Sequence, residues 1–249
     1  MSPTLIEFDG GFSCYALSEI EARFIHQEVF VDHAYGDEDL GEAPFIVDVG
    51  ANIGLFSLNM RRRYPGARIV AYEPAPETAC VLRRNLELHG ITDITVHTHA
   101  LGAEAGTAAF TYYPAMPGNS TFYPEGKARQ KQVTAELLGA EQAEASFASN
   151  PLTVGVERLS RSLAEHHPDR AVIDLLKIDV EGAELDVLAG IDETDWARIR
   201  NVALEVHNTA VSQVDDVEEL LRDKGMTVTS ELHPLLGQVL GVCNVRACR

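Results

Sequence analysis

Two short stretches in the second half of the chain contain side chains that could transfer protons. "KIDVEG" supplies Asp179 and Glu181, and "LEVHN" supplies Glu205 and His207. On a strand, alternation would place Glu205 and His207 on the same side. We expect His207 to act as a general base, because its ordinary pKa lies near neutrality, with Glu205 or Glu181 orienting its ring. A structural histidine at a strand end is the alternative.

The same side chains could instead bind a divalent cation. Asp179 and Glu181, together with Glu205 or His207, form an oxygen-rich ligand set of the kind that suits Mg²⁺. Spacing alone does not define a coordination shell, so we favour a site without metal. Lys177 precedes Asp179 by two residues and is expected to pair with a carboxylate.

A turn between an apolar stretch and a predicted helix could hold a nucleoside-like ligand. In "VDVGANIG", Gly50 and Gly54 flank Asn52. Gly50 would allow a sharp turn, and Gly54 would allow the following helix to pack close to the strand. The free N–H groups at the N-terminus of that helix would face the ligand. Glu73 stands 19 residues after Gly54, where a carboxylate can accept both ribose hydroxyls. Packing glycines and a solvated carboxylate are the alternatives. The dinucleotide pattern G-x-G-x-x-G is absent, which argues against NAD.

Strands that alternate with helices should position these residues. From residue 45, predicted strands and helices alternate as far as the strand "ITVHTHAL". The alternation resumes at the strand "AVIDLLKIDVEG" and ends in a pair of strands. This order predicts an α/β fold with a mostly parallel sheet of about seven strands and helices on both faces. We expect a cap over residues 1–44, a main domain over 45–249, and a lid inserted at about 102–170.

Composition limits the classes of partner and the compartment. The net charge of −18 would repel nucleic acid and anionic lipid. The four cysteines include no C-x-x-C pair, so we expect reduced thiols. The first residues do not read as a signal peptide, and no apolar run approaches the ~18 residues of a membrane span. We therefore expect a cytoplasmic protein without nucleic-acid or membrane partners.

Three segments of the chain resemble one known family. "VDVGANIGLFS", "VAYEPAPETACVLRRNLELHG" and "LLKIDVEGAELDVLAG", within residues 44–208, resemble the FkbM-type S-adenosylmethionine-dependent methyltransferases. The resemblance implies a Rossmann-like class I methyltransferase fold whose sheet ends in an antiparallel strand pair. It also implies cofactor-binding roles for Asp48, Gly50 and Asn52 at the methionine end, Gly54 in the same turn, Glu73 at the ribose, and His99, Ala100 and Leu101 at the adenine. Asp48 and Asp179 would complement the sulfonium charge.

His97 and His99 have the H-x-H spacing of some metal ligands. They have no nearby acidic partner in the sequence, so we expect them in the core and at the cofactor rim rather than at a metal.

The insertion is expected to shape the acceptor side. "FTYYPAMPGNSTFYP" combines aromatic residues with proline and glycine, which favours an ordered loop beside an apolar pocket. By resemblance to O-methyltransferases of polyketide and nonribosomal-peptide assembly lines, Tyr113, Asn119 and Ser120 would line the substrate side. The basic cluster "KARQK" (127–131) could dock an acidic acyl carrier.

The expected reaction is O-methylation of a hydroxyl on a secondary metabolite, either free or carrier-bound. A sugar hydroxyl as acceptor, or nucleotide binding without turnover, are the alternatives.

Overall fold

A computed structural model describes residues 2–169, 172–208 and 213–249 of the chain. Its strands are β1 (Thr4–Glu7), β2 (Ser13–Ala16), β3 (Phe45–Val49), β4 (Arg68–Tyr72), β5 (Thr95–His97), β6 (Ala100–Leu101), β7 (Gly106–Tyr112), β8 (Asn150–Glu157), β9 (Leu175–Ile178), β10 (Asn201–His207), β11 (Thr227–Leu232) and β12 (Val242–Cys248). Its α-helices are α1 (Glu19–His26), α2 (Leu55–Arg63), α3 (Pro76–Leu88), α4 (Ala128–Leu138), α5 (Ala140–Ser146), α6 (Leu159–His166), α7 (Glu184–Ala189), α8 (Val214–Asp223) and α9 (Gly237–Leu240). Within these ranges no helix is both long and apolar enough to cross a bilayer.

A seven-stranded sheet forms the centre of the molecule, in the order β11-β12-β10-β9-β3-β4-β5. Strands β10, β9, β3, β4 and β5 pair in parallel, whereas β12 runs antiparallel to both of its neighbours. Every residue of β3 and β9 is buried, as expected for central strands that helices cover on both faces. The predicted Rossmann-like α/β fold with a closing antiparallel pair is therefore confirmed.

The two faces of the sheet bury two separate apolar clusters. Val47 of β3 points into the cluster that holds α6, α7 and α8, for example through Leu188 and Leu221. The neighbouring Ile46 points the opposite way, into the cluster formed with α2 and α3. This alternation fixes the register of β3, because a shift by one residue would exchange the two faces.

The N-terminal segment packs onto the α2–α3 face and extends toward the carboxyl ends of the strands. Ser18 is the N-cap of helix α1, and its Oγ accepts a hydrogen bond from the Glu21 N–H at 3.4 Å. The helix then continues as a π-helical turn over Gln27–Val31. Ala22 and Val29 join the core, whereas Ile20 remains 82% exposed.

The predicted third strand, "ITVHTHAL", is divided between two sheets. Strand β5 ends at His97, and β6 leaves the main sheet to pair with β8 in a three-stranded sheet of order β6-β8-β7. Helices α4 and α5 follow β7 and pack against each other. Helix α6 falls within the predicted lid, but Leu159 and Leu163 bury it in the main core.

Candidate active site

A cavity of about 480 Å³ lies at the carboxyl ends of β3, β4, β9 and β10. The ends of parallel strands are the usual ligand-binding position in open α/β sheets. Helix α1 and the segment after β7 contribute further walls, through residues such as Phe24 and Met116. The cavity is therefore enclosed by the sheet, the N-terminal segment and the insertion.

The loop after β3 forms the floor of this cavity and depends on glycine. Gly50 has a φ of +74°, and a Cβ atom there would lie 1.7 Å from the backbone oxygen of Asp179. Asn52 has a φ of +48°, a left-handed conformation that asparagine tolerates better than most residues. Gly54 lies behind the loop with a φ of +88°, and a Cβ there would meet Leu82 Cγ at 3.0 Å. Gly50 thus allows close approach to β9, and Gly54 allows close packing of α2 against α3.

Glu73 connects the first loop to the loop after β4. Its Oε2 accepts the Asn52 N–H at 3.0 Å, and its Oε1 accepts the Ala75 N–H at 2.9 Å. Burial raises the pKa of Glu73 to about 7, although the two N–H donors favour the ionised form. Each carboxylate oxygen has a second lone pair, so the group can also accept ligand hydroxyls.

Asp48 lies behind the loop rather than in the cavity wall. It is fully buried, and its Oδ2 accepts a hydrogen bond from Ser57 Oγ at 2.7 Å. Its Oδ1 lies 3.3 Å from Lys177 Nζ, an ion-pair distance without hydrogen-bond alignment. Burial alone would lower the pKa of Lys177, but the nearby charges of Asp48 and Asp179 have a larger effect, so its pKa is raised above the ordinary value. The charge of Asp48 is therefore neutralised, in contrast to the ligand contact that the resemblance implies.

Lys177 of β9 also binds the backbone of the loop after β3, which forms the floor of the cavity. Its Nζ donates to the backbone oxygen of Gly50 at 2.7 Å and lies 3.6 Å from Asp179 Oδ2. The same Asp179 oxygen accepts a hydrogen bond from Tyr35 Oη at 2.9 Å. Asp179 lines the cavity, so it faces a ligand while already paired with a lysine.

The predicted adenine-side residues separate into two groups. Ala100 and Leu101 line the cavity, together with Tyr72. His99 packs behind Tyr72, with ring centroids 5.4 Å apart, and His97 stacks on the same ring at 5.0 Å. Burial lowers the pKa of both histidines.

His207 stands among three carboxylates at the end of β10. Its Nε2 lies 3.0 Å from Glu181 Oε2 and 3.3 Å from Glu205 Oε1, so these predicted residues come together. Its Nδ1 lies 3.2 Å from Oε1 of Glu184, which the sequence analysis did not single out. Burial alone would lower the pKa of His207, but the three carboxylates hold it well above its ordinary value. The carboxylates therefore favour the imidazolium form of the ring.

A second buried acid–base pair adjoins Glu205 and was also missed. His233 Nδ1 accepts N–H groups from Leu235 and Leu236, so its proton lies on Nε2, which donates to Glu28 Oε1. The same Nε2 lies 3.9 Å from Glu205 Oε2. Burial raises the pKa of Glu28 to about 8 and that of Glu205 to about 7.

Two sets of donor atoms in this region could hold a metal ion. One set comprises Glu28, Glu205 and His233, and the other Asp179, Glu205 and His207, with the atoms of each set within 4.8 Å of one another. Glu181, part of the metal site considered from the sequence, instead pairs with Lys127. In the conformation described, Glu205 contacts His207, Glu28 contacts His233, and Asp179 contacts Tyr35 and Lys177.

The insertion reaches the site through Lys127, Asn119 and Ser120. Lys127 is buried and pairs with Glu181, and its Nζ lies 3.4 Å from Asn119 Oδ1. Ser120 Oγ accepts the N–H of Tyr113 at 3.1 Å. Asn119 and Ser120 line the cavity, whereas Tyr113 packs behind them.

The basic cluster at 127–131 is not a continuous basic patch. Lys127 points inward, and Lys131 pairs with Glu144 at 2.8 Å. Arg129 is exposed at the cavity mouth and is the member of the cluster without a described ion pair.

Comparison with known proteins gives the family of the chain. The chain is 45% identical to methyltransferase sdnD of Sordaria araneosa, over 92% of this chain and 91% of that protein. It is 37% identical to the 31-O-demethyl-FK506 methyltransferase FkbM of Streptomyces tacrolimicus, over 86% of this chain and 85% of that protein. Among solved structures, the N-terminal domain of human METTL16 in complex with SAH matches 92% of this chain and 69% of its own, with a TM-score of 0.45 and 14% identity.

The protein-family model described as the methyltransferase FkbM domain matches residues 48–228 of the chain. The cavity fits the cofactor of such an enzyme: it lies at the carboxyl ends of the strands, Glu73 can accept ribose hydroxyls, and carboxylates suit a cationic ligand. The chain belongs to the FkbM methyltransferase family and is an S-adenosylmethionine-dependent enzyme.

Proposed function

We propose that the chain transfers a methyl group from S-adenosylmethionine to a hydroxyl of a free, largely apolar secondary metabolite. The observation that supports an oxygen acceptor is the buried Glu205, a proton acceptor in the wall of the cavity beside His207. The relative from Streptomyces tacrolimicus is named for methylation at an oxygen, which agrees with this reaction.

The mouth of the cavity supports an apolar acceptor. Its rim includes Ile20, Phe24, Leu138, Leu236 and Leu240, which come from α1, α4 and the region of α9. Ile20 and Leu138 are 82% and 64% exposed, so an acceptor covering them would remove apolar surface from water. A sugar would offer mainly hydroxyls to this rim and would match it less well.

The disposition of charge supports a free acceptor over a carrier-bound one. An acyl carrier presents acidic helices and a phosphate, which call for several unpaired cations. Of the cluster at 127–131, Lys127 and Lys131 are already paired, which leaves Arg129 to face such a partner.

The residues that would hold the cofactor follow from the geometry of the cavity. Asn52 and Glu73 would bind the ribose end, and Ala100 and Leu101 would border the adenine. When bound, S-adenosylmethionine supplies an electrophilic methyl group for in-line displacement. The chain must then align the acceptor hydroxyl and remove its proton.

Glu205 is the general base in this proposal, and His207 is its positioning residue. Both ring nitrogens of His207 face carboxylates, so the imidazolium has no free lone pair for the acceptor. Glu205 lines the cavity, and its pKa near 7 matches a base that works close to neutral pH. This assignment replaces the sequence-based hypothesis that His207 itself takes the proton.

Calorimetric titration followed by an acceptor screen tests the proposal. We expect S-adenosylmethionine to bind and NAD not to bind. Incubation with hydroxylated apolar compounds should then yield methyl ethers, identified by mass spectrometry and by NMR at the methylated atom. Methylation of nitrogen or carbon, a preference for carrier-linked acceptors, or binding of NAD alone would each contradict it.

A further inference from the structure

The neutralisation of Asp48 raises the question of which group matches the positive charge of the cofactor. With the ribose at Asn52 and Glu73 and the adenine at Ala100 and Leu101, the substituent on the ribose would extend over the Gly50 loop. That substituent contains a sulfonium and an ammonium. The inference below rests on the proposed binding of S-adenosylmethionine in this cavity.

Most carboxylates of the cavity are already paired. The acidic residues in its wall are Glu21, Glu28, Glu73, Asp179, Glu181 and Glu205. Four of them contact a lysine or a histidine in the described structure: Asp179 with Lys177, Glu181 with Lys127 and His207, Glu205 with His207, and Glu28 with His233. Glu73 uses both oxygens to accept backbone N–H groups. Glu21 therefore differs from the rest.

Glu21 has one engaged oxygen and one that remains available. Its Oε1 accepts the N–H of Gly118 at 2.7 Å, which joins α1 to the turn Pro117–Asn119 of the insertion. Its other oxygen has no hydrogen bond or ion pair within the residues that the structure describes. A Cβ at Gly118 would lie 2.8 Å from Glu21 Oε1 and 3.0 Å from Asn52 Nδ2, so Glu21 stands beside the cofactor loop.

The electrostatic surroundings of Glu21 favour a cationic ligand. Burial raises the pKa of Glu21 to about 8, and the nearby charges of Glu181 and Glu73 add to this, with Lys127 opposing them. A cation that binds next to this carboxylate replaces the missing countercharge. The gain is a charge-assisted hydrogen bond or ion pair in a site with restricted access to water.

We infer that Glu21, on the first turn of α1, binds the cationic methionine end of S-adenosylmethionine. The family-model match begins at residue 48, so this contact comes from the segment that precedes it. The Glu21–Gly118 hydrogen bond would then hold the insertion turn against the bound cofactor.

Titration of the full chain with S-adenosylmethionine and with S-adenosylhomocysteine tests this role in wild type, Glu21→Gln and Glu19→Gln. Glutamine at 21 can still accept the Gly118 N–H, so the substitution removes charge and leaves the turn in place. Glu19 lies on the same helical turn but pairs with Arg23 at the surface and serves as the matched control. Thermal unfolding of each variant checks that the fold is retained.

We expect Glu21→Gln to raise the Kd for S-adenosylmethionine by about tenfold to a hundredfold, and Glu19→Gln to leave it unchanged. An equal loss for S-adenosylhomocysteine would place Glu21 at the ammonium, and a smaller loss would place it at the sulfonium. Wild-type affinity in Glu21→Gln would overturn this inference alone. Failure of the wild type to bind S-adenosylmethionine would overturn the proposed function and this role with it.

Discussion

The β3–β4 side of the cavity and its β9–β10 side are built from different kinds of groups. On the first side, backbone N–H groups and a glycine define the surface, and Glu73 is held by Asn52 and Ala75. On the second side, side chains from separate segments pair their charges around His207 and Glu205. Backbone geometry gives the cofactor side a fixed shape, whereas coupled charges suit the proton transfer that we propose for the other side.

The largest effect is expected at the base. Glu205→Gln should lower kcat by about 10²–10⁴, because the amide cannot take a proton, while S-adenosylmethionine affinity stays near the wild-type value. Steady-state kinetics and calorimetry measure the two quantities. Glu231→Gln, which removes an exposed ion pair with Arg246, is the control. Normal turnover in Glu205→Gln would mean that Glu205 is not the general base and that another residue of the β9–β10 side takes the proton.

On the opposite side, substitution of Gly50 should act through shape alone. Gly50→Ala places a methyl group against the Asp179 backbone oxygen, so the loop must move and the free energy of unfolding should fall by about 3 kcal/mol or more. Gly90→Ala is the matched control, since its φ is +66° and nothing lies near its Cβ position. It should cost about 1 kcal/mol. If Gly50→Ala and Gly90→Ala lowered the free energy of unfolding in urea equally, the close contact between Gly50 and the Asp179 backbone oxygen would be contradicted.

His207→Gln should reveal the charge coupling as a pH-dependent loss of stability. The folded-state pKa of His207 is raised, so its stabilising effect is complete below its ordinary pKa and is lost as pH rises through the folded value. We expect a loss of about 3 kcal/mol near pH 6 that shrinks at alkaline pH. Chemical denaturation at several pH values measures it, with His89→Gln as control, since that ring contacts a backbone oxygen. If the loss of unfolding free energy were the same at every pH, His207 would not be stabilised as an imidazolium in the folded protein.

Lys127→Met should give the smallest of these effects. It removes one partner of Glu181, which keeps its contact with His207, so we expect a loss of about 1–2 kcal/mol and a higher KM for the acceptor. Lys131→Met breaks an exposed pair in the same helical region and should change stability by less than about 1 kcal/mol. Identical behaviour of the two variants in unfolding and kinetics would mean that Lys127 does not support the site.

The same contrast explains what could be predicted from the sequence. The strand, the Gly50 turn and Glu73 lie within a short span, and their spacing reflects the local geometry of a βαβ unit. Strand alternation likewise brought Glu205 and His207 to one side of β10. The predicted pairing of Lys177 with a carboxylate is confirmed, with Asp48 and Asp179 as its partners.

The remaining partners have no periodic signal in the sequence. Glu28 and His233 are 205 residues apart and meet because a π-helical turn and a loop after β11 both reach β10. The ion pair that holds Asp48 away from the ligand could not be predicted either, since it depends on Lys177 of the adjacent strand β9. Such contacts follow from the tertiary fold rather than from residue type or spacing.

The position of β12 has a consequence for the order in which the enzyme folds. This strand lies between β10 and β11, although it is synthesised after both. While the ribosome is still translating the residues of β12, the strand that presents Glu205 has an open edge, and β11 has no neighbour to join. The cofactor loop of β3 can reach its native contacts earlier, because β4 and β9 precede β10 in the chain. During synthesis, ligand-binding structure should therefore precede catalytic competence.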